Sequence, residues 1–279
     1  MLKFNVMKYY KGRDNLACTI FVPFKCGNNC PFCNTNKLYK NYSYSDEHLS
    51  KIIDWVHCLN KNKDVSEFVL TGGEPFFNLS ITKKIIDEME KKVFINTTLP
   101  KLKNIDEIID YINSEDKIRG INISRHIGLD YNVSVSEKEI IDKIEKDVRI
   151  NCILDKECTK EQIFNFIDYW ATPYRMINFR ADYRNITTDT LKNRDIWTEF
   201  FLRNFHWEYT NNCLVCNSEF YSDEDYKVIC YHRGLEHSCV TYGKRCYIND
   251  ILIDMYGNIY KDWDMEHDEE FNNWLTRDC

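Results

Sequence analysis

Cys26-Gly27-Asn28-Asn29-Cys30-Pro31-Phe32-Cys33 follows closely on an apolar run, Ala17-Cys18-Thr19-Ile20-Phe21-Val22-Pro23-Phe24. A strand feeding a loop with three thiols in eight residues gathers soft ligands at one point. Thiolates select zinc, copper(I) or iron–sulfur clusters, and three from one loop leave a closed tetrahedral zinc site one ligand short. An iron–sulfur cube held through Cys26, Cys30 and Cys33 would keep its fourth iron open to a substrate or cofactor, which suits chemistry better than structure. A second apolar run, Glu67-Phe68-Val69-Leu70-Thr71, ends in Gly72-Gly73-Glu74-Pro75. Glycine lets backbone approach a ligand closely, and Glu74 adds a carboxylate that suits an ammonium group.

Working outward, strand-like runs alternate with segments whose apolar residues recur every three or four positions. Ser45-Asp46-Glu47-His48 reads as a capped helix start, followed by Leu49, Ile52, Ile53, Val56 and Leu59 at helical spacing. The pattern predicts helices over 45–60, 80–91, 104–114, 136–147, 159–170 and 188–204, with strands over 92–99, 118–125, 148–154 and 174–181. Counted from Ile20 these make six βα units, hence a parallel sheet with right-handed crossovers. Gly72 then lies at a strand's C-terminal end, the active-site face of parallel βα folds.

The chain has 279 residues, 43% of them hydrophobic, enough for one large domain or one plus a small appendage. Lys and Arg number 37 against 44 Asp and Glu, a net charge of −7, so no broad attraction to nucleic acid or to an anionic membrane is expected. No run of eighteen apolar residues exists, and Met1–Leu16 is polar rather than signal-like, so a cytoplasmic protein is expected. Thirteen cysteines, an odd number, argue against a full set of disulfides and for metal or cluster ligation by some of them.

The C-x3-C-x2-C spacing of Cys26, Cys30 and Cys33, with Gly72-Gly73-Glu74-Pro75 downstream, resembles the radical S-adenosylmethionine (radical SAM) enzymes. The resemblance implies an α/β fold, a partial (β/α)6 TIM-like barrel, over residues 1–205, and a [4Fe–4S] cluster on the three cysteines. It also implies that SAM chelates the unique iron, that Gly72, Gly73, Glu74 and Pro75 meet its amino group, and that an aromatic residue, Phe32, lies near its adenine. Polar residues closing the next strands, in Phe94–Thr98 and Ile121–His126, would meet the ribose and carboxylate; by position these are Thr97 and Ser124, with Arg125 as a carboxylate partner. Arg149 and Arg180 fall within later strands, where a charge either lines the lumen and holds an anionic group or joins a buried ion pair.

From about His206 the βα rhythm stops, and a small β-hairpin-containing, cysteine-rich extension is expected over residues 206–279. A hairpin should turn at Gly257-Asn258. Six cysteines fall here: Cys213, Cys216, Cys230, Cys239, Cys246 and Cys279. Cys213-x2-Cys216-x13-Cys230 is similar to the C-terminal cluster spacing of the GTP cyclase of molybdenum-cofactor biosynthesis. Cys246 and Gly257 resemble the twitch or SPASM extension of peptide-modifying radical SAM enzymes, although Asp262 stands where that pattern has a second cysteine. Cys213, Cys216, Cys230 and Cys246 are therefore candidate ligands of a second metal, either an auxiliary iron–sulfur cluster or zinc, with unligated thiols as the alternative.

The function implied is reductive cleavage of SAM to a 5′-deoxyadenosyl radical that takes a hydrogen atom from a peptide or small metabolite, supplied with electrons by a flavodoxin- or ferredoxin-type donor. The alternatives are a cyclase or rearranging enzyme acting on a nucleotide-like substrate, and a non-catalytic cluster- or zinc-binding protein.

Overall fold

The computed structural model describes residues 8–12, 16–182, 184, 195–210, 217–223, 228–233 and 239–278. A short strand β1 (Lys8–Lys11) precedes the central series of β2 (Leu16–Phe21), α1 (Asp46–Lys61), β3 (Val65–Thr71), α2 (Leu79–Asp87), β4 (Lys92–Thr97), α3 (Ile105–Ser114), β5 (Ile118–Ser124), α4 (Lys138–Ile141), β6 (Asp147–Leu154), α5 (Lys160–Trp170), β7 (Arg175–Ala181) and α6 (Ile196–Asn204). β2 to β7 lie side by side in sequence order, all parallel. This is an open, partial barrel, as expected.

Most of the helices form where the sequence supplies a side-chain cap and an apolar stripe. Ser45 Oγ accepts from the His48 N–H at 3.2 Å to start α1, which buries Leu49, Ile52, Val56 and Leu59. Burying such a side chain fully contributes about 1.5–3 kcal/mol, far more than helix propensity does. Thr159 and Gln162 close a capping box at α5. The helix expected over 136–147 is reduced to Lys138–Ile141. Beyond it the chain tightens into three-residue turns, Lys143 N to Ile140 O and Ile144 N to Ile141 O, which bury Ile144 without extending the helix.

The C-terminal part does not stand apart from the barrel. It supplies β8 (His206–Thr210), β9 (Asn217–Ser222), β10 (Val228–Arg233), β11 (Cys239–Tyr242), β12 (Arg245–Ile248), β13 (Asp250–Ile253), β14 (Ile259–Tyr260) and α7 (Glu269–Leu275). β10 adds parallel to β7 at one edge and β13 parallel to β2 at the other, giving the order β14-β13-β2-β3-β4-β5-β6-β7-β10-β9-β8. The boundary expected at residue 206 therefore falls inside one continuous sheet. A second, three-stranded sheet joins β1, β12 and β11. The hairpin does turn at Gly257-Asn258: Gly257 has φ 80°, and Asp254 Oδ1 accepts from the Asn258 N–H at 2.9 Å.

Asp268 ties the chain's two ends together. It caps α7 through the Phe271 N–H at 2.9 Å, accepts from Tyr9 Oη at 2.7 Å and pairs with Lys261. Burial alone would raise its carboxyl, but the bonds from Lys261, Phe271 and Tyr9 outweigh it and hold the group below the usual carboxylate range. A depressed native pKa means stability that is present above about pH 3.9, the unfolded value, and lost as pH falls through the native one. Asp268→Ala should cost about 2–3 kcal/mol near pH 7, and thermal melts between pH 3 and 7 should show a shallower acid limb than the parent's.

Candidate active site

The C-terminal strand ends open into a cavity of about 830 Å³. On one rim stand Cys26, Cys30 and Cys33, carried by the loop between β2 and α1, with Gly72 and Gly73 directly below. The two segments are stitched together. Tyr39 Oη donates to the Val22 carbonyl at 2.7 Å and accepts from the Gly73 N–H at 3.0 Å. Thr35 Oγ1 donates to the Gly72 carbonyl at 3.1 Å and lies 3.4 Å from Cys33 Sγ. Across the mouth, Asn28 Oδ1 accepts from the Val133 N–H at 3.0 Å.

Contact between the two segments explains the glycines. A Cβ on Gly73 would sit 1.7 Å from the Phe24 carbonyl oxygen, and Gly72 has φ 98°, where L side chains are strained. Gly73→Ala must push the cysteine loop off the glycine segment, at about 1–3 kcal/mol or more. We expect a lowered melting temperature together with a sharp fall in bound iron after anaerobic loading. At Gly128, where a Cβ meets nothing within 4 Å, the same change should leave iron content unaltered.

The three thiols are partly exposed and electrically aware of one another. Burial, then Cys33 and Cys26, push the Cys30 thiol up to about 11. Burial also raises Cys26, against the Asn28 N–H that donates to its sulfur at 3.4 Å. Three adjacent thiols facing a cavity, with the anionic forms of Cys26 and Cys30 disfavoured by burial and by neighbouring charge, fit a multivalent metal cluster that supplies the missing positive charge.

The other expected site residues divide. Ser124 and Phe32 line the cavity, Phe32 packing edge-on to His126 with ring centroids 4.5 Å apart. Pro75 is buried and opens a short 3₁₀ turn behind the wall. Glu74 is 1% exposed, and its carboxylate accepts from Thr97 Oγ1 (2.5 Å), Thr98 N (2.7 Å), Thr98 Oγ1 (2.7 Å) and Phe76 N (3.2 Å). Glu74 and Thr97 both line the cavity, and the Glu74 carboxylate locks the glycine segment to the end of β4. Thr97 is consumed in the same lock, since its hydroxyl also accepts from the Leu99 N–H at 2.7 Å. Arg125 lies behind the wall, not among the cavity residues. Its guanidinium donates to the carbonyls of Thr98 (2.6 Å), Ser124 (2.8 Å) and Ser136 (2.7 Å), which leaves no reach toward a bound carboxylate.

Of the candidate second-metal ligands, Cys213 and Cys216 lie outside the described residues, as do Cys279 and His237. Cys230 and Cys246 do not form one set. Cys230 is paired with Asn178 in the main sheet, whereas Cys246 is paired with Tyr9 in the small one. The neighbour of Cys246 is Cys239, whose thiol lies 3.4 Å from Asp262 Oδ2. Among the described residues, no three His, Cys, Asp or Glu side chains gather as they would around a single metal ion.

Several cavity residues escaped sequence reading. Asn96, Asn122, Asn151 and Asn178 all face the lumen, with Asn122 Nδ2 donating to Asn96 Oδ1 at 2.7 Å and Asn178 Nδ2 to Asn151 Oδ1 at 2.8 Å. The signal was present as an Ile-Asn pair in each of four successive strands, Ile95-Asn96, Ile121-Asn122, Ile150-Asn151 and Ile177-Asn178. Each Ile is buried on the helix-facing side while its Asn faces inward. His126 also lines the cavity; its Nδ1 accepts from the Ile153 N–H at 3.1 Å, and burial followed by Arg125 lowers it to about 3, so it is a neutral ring.

A partial barrel whose mouth brings a three-cysteine loop against a double glycine agrees with what a comparison with known families finds, a match of residues 20–155 to the Radical SAM superfamily. The chain carries a radical SAM domain. No curated protein matches it. Among solved structures it is similar to Streptococcus suis SuiB, with a TM-score of 0.56 and 14% identity over 97% of this chain and 67% of that one. It is also similar to SuiB bound to S-adenosylmethionine, with a TM-score of 0.60 and 14% identity over 98% and 67%. At that identity the likeness to SuiB concerns the fold. It extends beyond the radical SAM domain to the strands that flank the barrel. No helix among the described residues is long and apolar enough to cross a membrane.

Proposed function

We propose that this radical SAM protein is an enzyme that cleaves S-adenosylmethionine reductively and removes a hydrogen atom from a peptide or small metabolite held in the 830 Å³ cavity. The observation that carries the reading is the fastening of the Cys26–Cys33 loop to Gly72 and Gly73 at the rim of that cavity. When bound, a reduced [4Fe–4S] cluster and SAM together would supply the 5′-deoxyadenosyl radical.

This chain's own residues do the rest. Cys26, Cys30 and Cys33 would hold the cluster, Gly72 and Gly73 would let backbone approach the amino-acid end of SAM, and Phe32 with His126 offers a ring surface for its adenine. The asparagine rows and the buried strand faces give a lumen in which a substrate C–H bond can be fixed and water kept out. A flavodoxin- or ferredoxin-type protein would provide the electron, delivered at the exposed cysteine rim.

The test is anaerobic loading with iron and sulfide, followed by SAM and dithionite. Formation of 5′-deoxyadenosine with about four irons per chain supports the reading. A protein that takes up iron but leaves SAM intact would instead favour a non-catalytic cluster protein.

A further inference from the structure

The cysteine loop buries one amide group that meets no partner among the described residues. Asn28, between Cys26 and Cys30, is 5% exposed and lines the cavity together with all three thiols. Its place is fixed from three directions. The Asn28 backbone N–H donates to Cys26 Sγ at 3.4 Å, and its Oδ1 accepts from the Val133 N–H at 3.0 Å. Gly27 beside it sits so close to the same loop that a Cβ there would lie 2.4 Å from Val133 Cγ2.

The bond from Val133 also assigns the two ends of the amide, since only the oxygen can accept from a backbone N–H. The end left over is Nδ2, which is buried and makes no hydrogen bond among the described residues. A buried donor without an acceptor bears the full cost of its lost water unless a ligand completes it. Neighbouring polar groups are placed differently. Thr35, also buried, gives its hydroxyl hydrogen to the Gly72 carbonyl at 3.1 Å. Asn29, the next residue in the chain, is exposed and accepts from Asn36 Nδ2 at 2.9 Å.

We propose that Asn28 Nδ2 donates a hydrogen bond to a sulfur of the bound cluster, either a bridging sulfide or the Cys26 thiolate, and thereby raises the potential at which the cluster is reduced. Sulfur becomes more negative when the cluster gains an electron, so a donor held against it favours the reduced form. No proton moves in the step. The amide keeps both of its hydrogens while one electron arrives from the reductant. The inference rests on the three-cysteine cluster of the proposed function and gives that cluster a fourth, non-ligating contact.

The experiment uses the full chain, loaded anaerobically with iron and sulfide, and follows the electron paramagnetic resonance signal of the reduced cluster as the potential is stepped, without SAM. Asn28→Ala and Asn28→Asp should each shift the reduction equilibrium toward the oxidised form by about tenfold or more, about 59 mV for one electron. Asn28→Asp keeps an oxygen for Val133, so its loop and melting temperature should match the parent's. Its new charge would lower the potential on its own, which makes a second readout necessary. Electron–nuclear double resonance in H2O and in D2O should show an exchangeable proton coupled to the parent cluster, lost in both Asn28 variants and kept in Asn29→Ala. An unchanged proton signal in the two Asn28 variants overturns the proposal. So does weaker SAM binding with the potential unmoved, which would make Asn28 a contact of SAM and not of the cluster. A parent cluster that shows the coupled proton but never cleaves SAM would instead refute the proposed function and leave the hydrogen bond standing.

Discussion

Cys30→Ala, loaded anaerobically with iron and sulfide and given SAM and dithionite, should form no 5′-deoxyadenosine above background. Losing even an outer-shell partner of a metal site typically costs about 10–100-fold, so loss of a direct ligand should cost about a thousandfold or more. The residue is partly exposed on a loop, so the melting temperature of the unloaded protein should move little. Cys18 and Cys152 make the contrast. Both are fully buried, on β2 and β6, and serve as small apolar residues in the core. Cys152→Ala should therefore lower stability by about 1 kcal/mol and leave iron content and SAM cleavage intact. If Cys30→Ala still cleaved SAM while Cys152→Ala did not, the cluster would have been assigned to the wrong thiols.

The cysteine loop, the double glycine and the βα alternation were legible because each is written in neighbouring residues. Thiol spacing, turn glycines and apolar periodicity survive without knowledge of the fold. What failed to show was anything decided by distant pairing. β10 and β13 carry no mark that they will lie parallel to β7 and β2, since that pairing joins residues far apart in sequence. The extension therefore looked like an appendage, although it flanks the barrel on both edges.

Strand-end polar residues misled for a related reason. In Ile121–Arg125 the pleat sends Ser124 toward the lumen and Arg125 the other way, into a pocket of carbonyls roofed by Trp170, whose ring lies 5.6 Å from the guanidinium carbon. Register decides between the two, and one residue of slip exchanges them. The same rule read forward would have found the asparagines, because an Ile-Asn pair repeated in four strands requires Asn on the inner face once Ile is placed in the core.

Glu74 supplies the second large effect, and two roles for this one residue predict opposite results. Its side chain accepts four hydrogen bonds that hold the end of β4 against the glycine segment, with none left over for a ligand. Glu74→Ala strands those donors in a buried place and should cost about 3–5 kcal/mol, a fall in melting temperature of roughly 6–20 °C for a chain of this size. Burial raises the carboxyl pKa, and the hydrogen bonds from Thr97, Thr98 and Phe76 only partly oppose this. A raised native pKa means that this group favours the fold most below the unfolded value of about 4.3, and that the contribution declines as pH rises through the native pKa. Glu74→Gln removes the charge while keeping the shape and an acceptor oxygen. It should stay within about 1–2 kcal/mol of the parent and flatten that pH dependence in thermal melts. Its SAM affinity should be nearly unchanged. Were the carboxylate instead the partner of the SAM ammonium group, Glu74→Gln would melt normally and lose SAM binding, and a purely structural role for Glu74 in the cavity lining would be wrong.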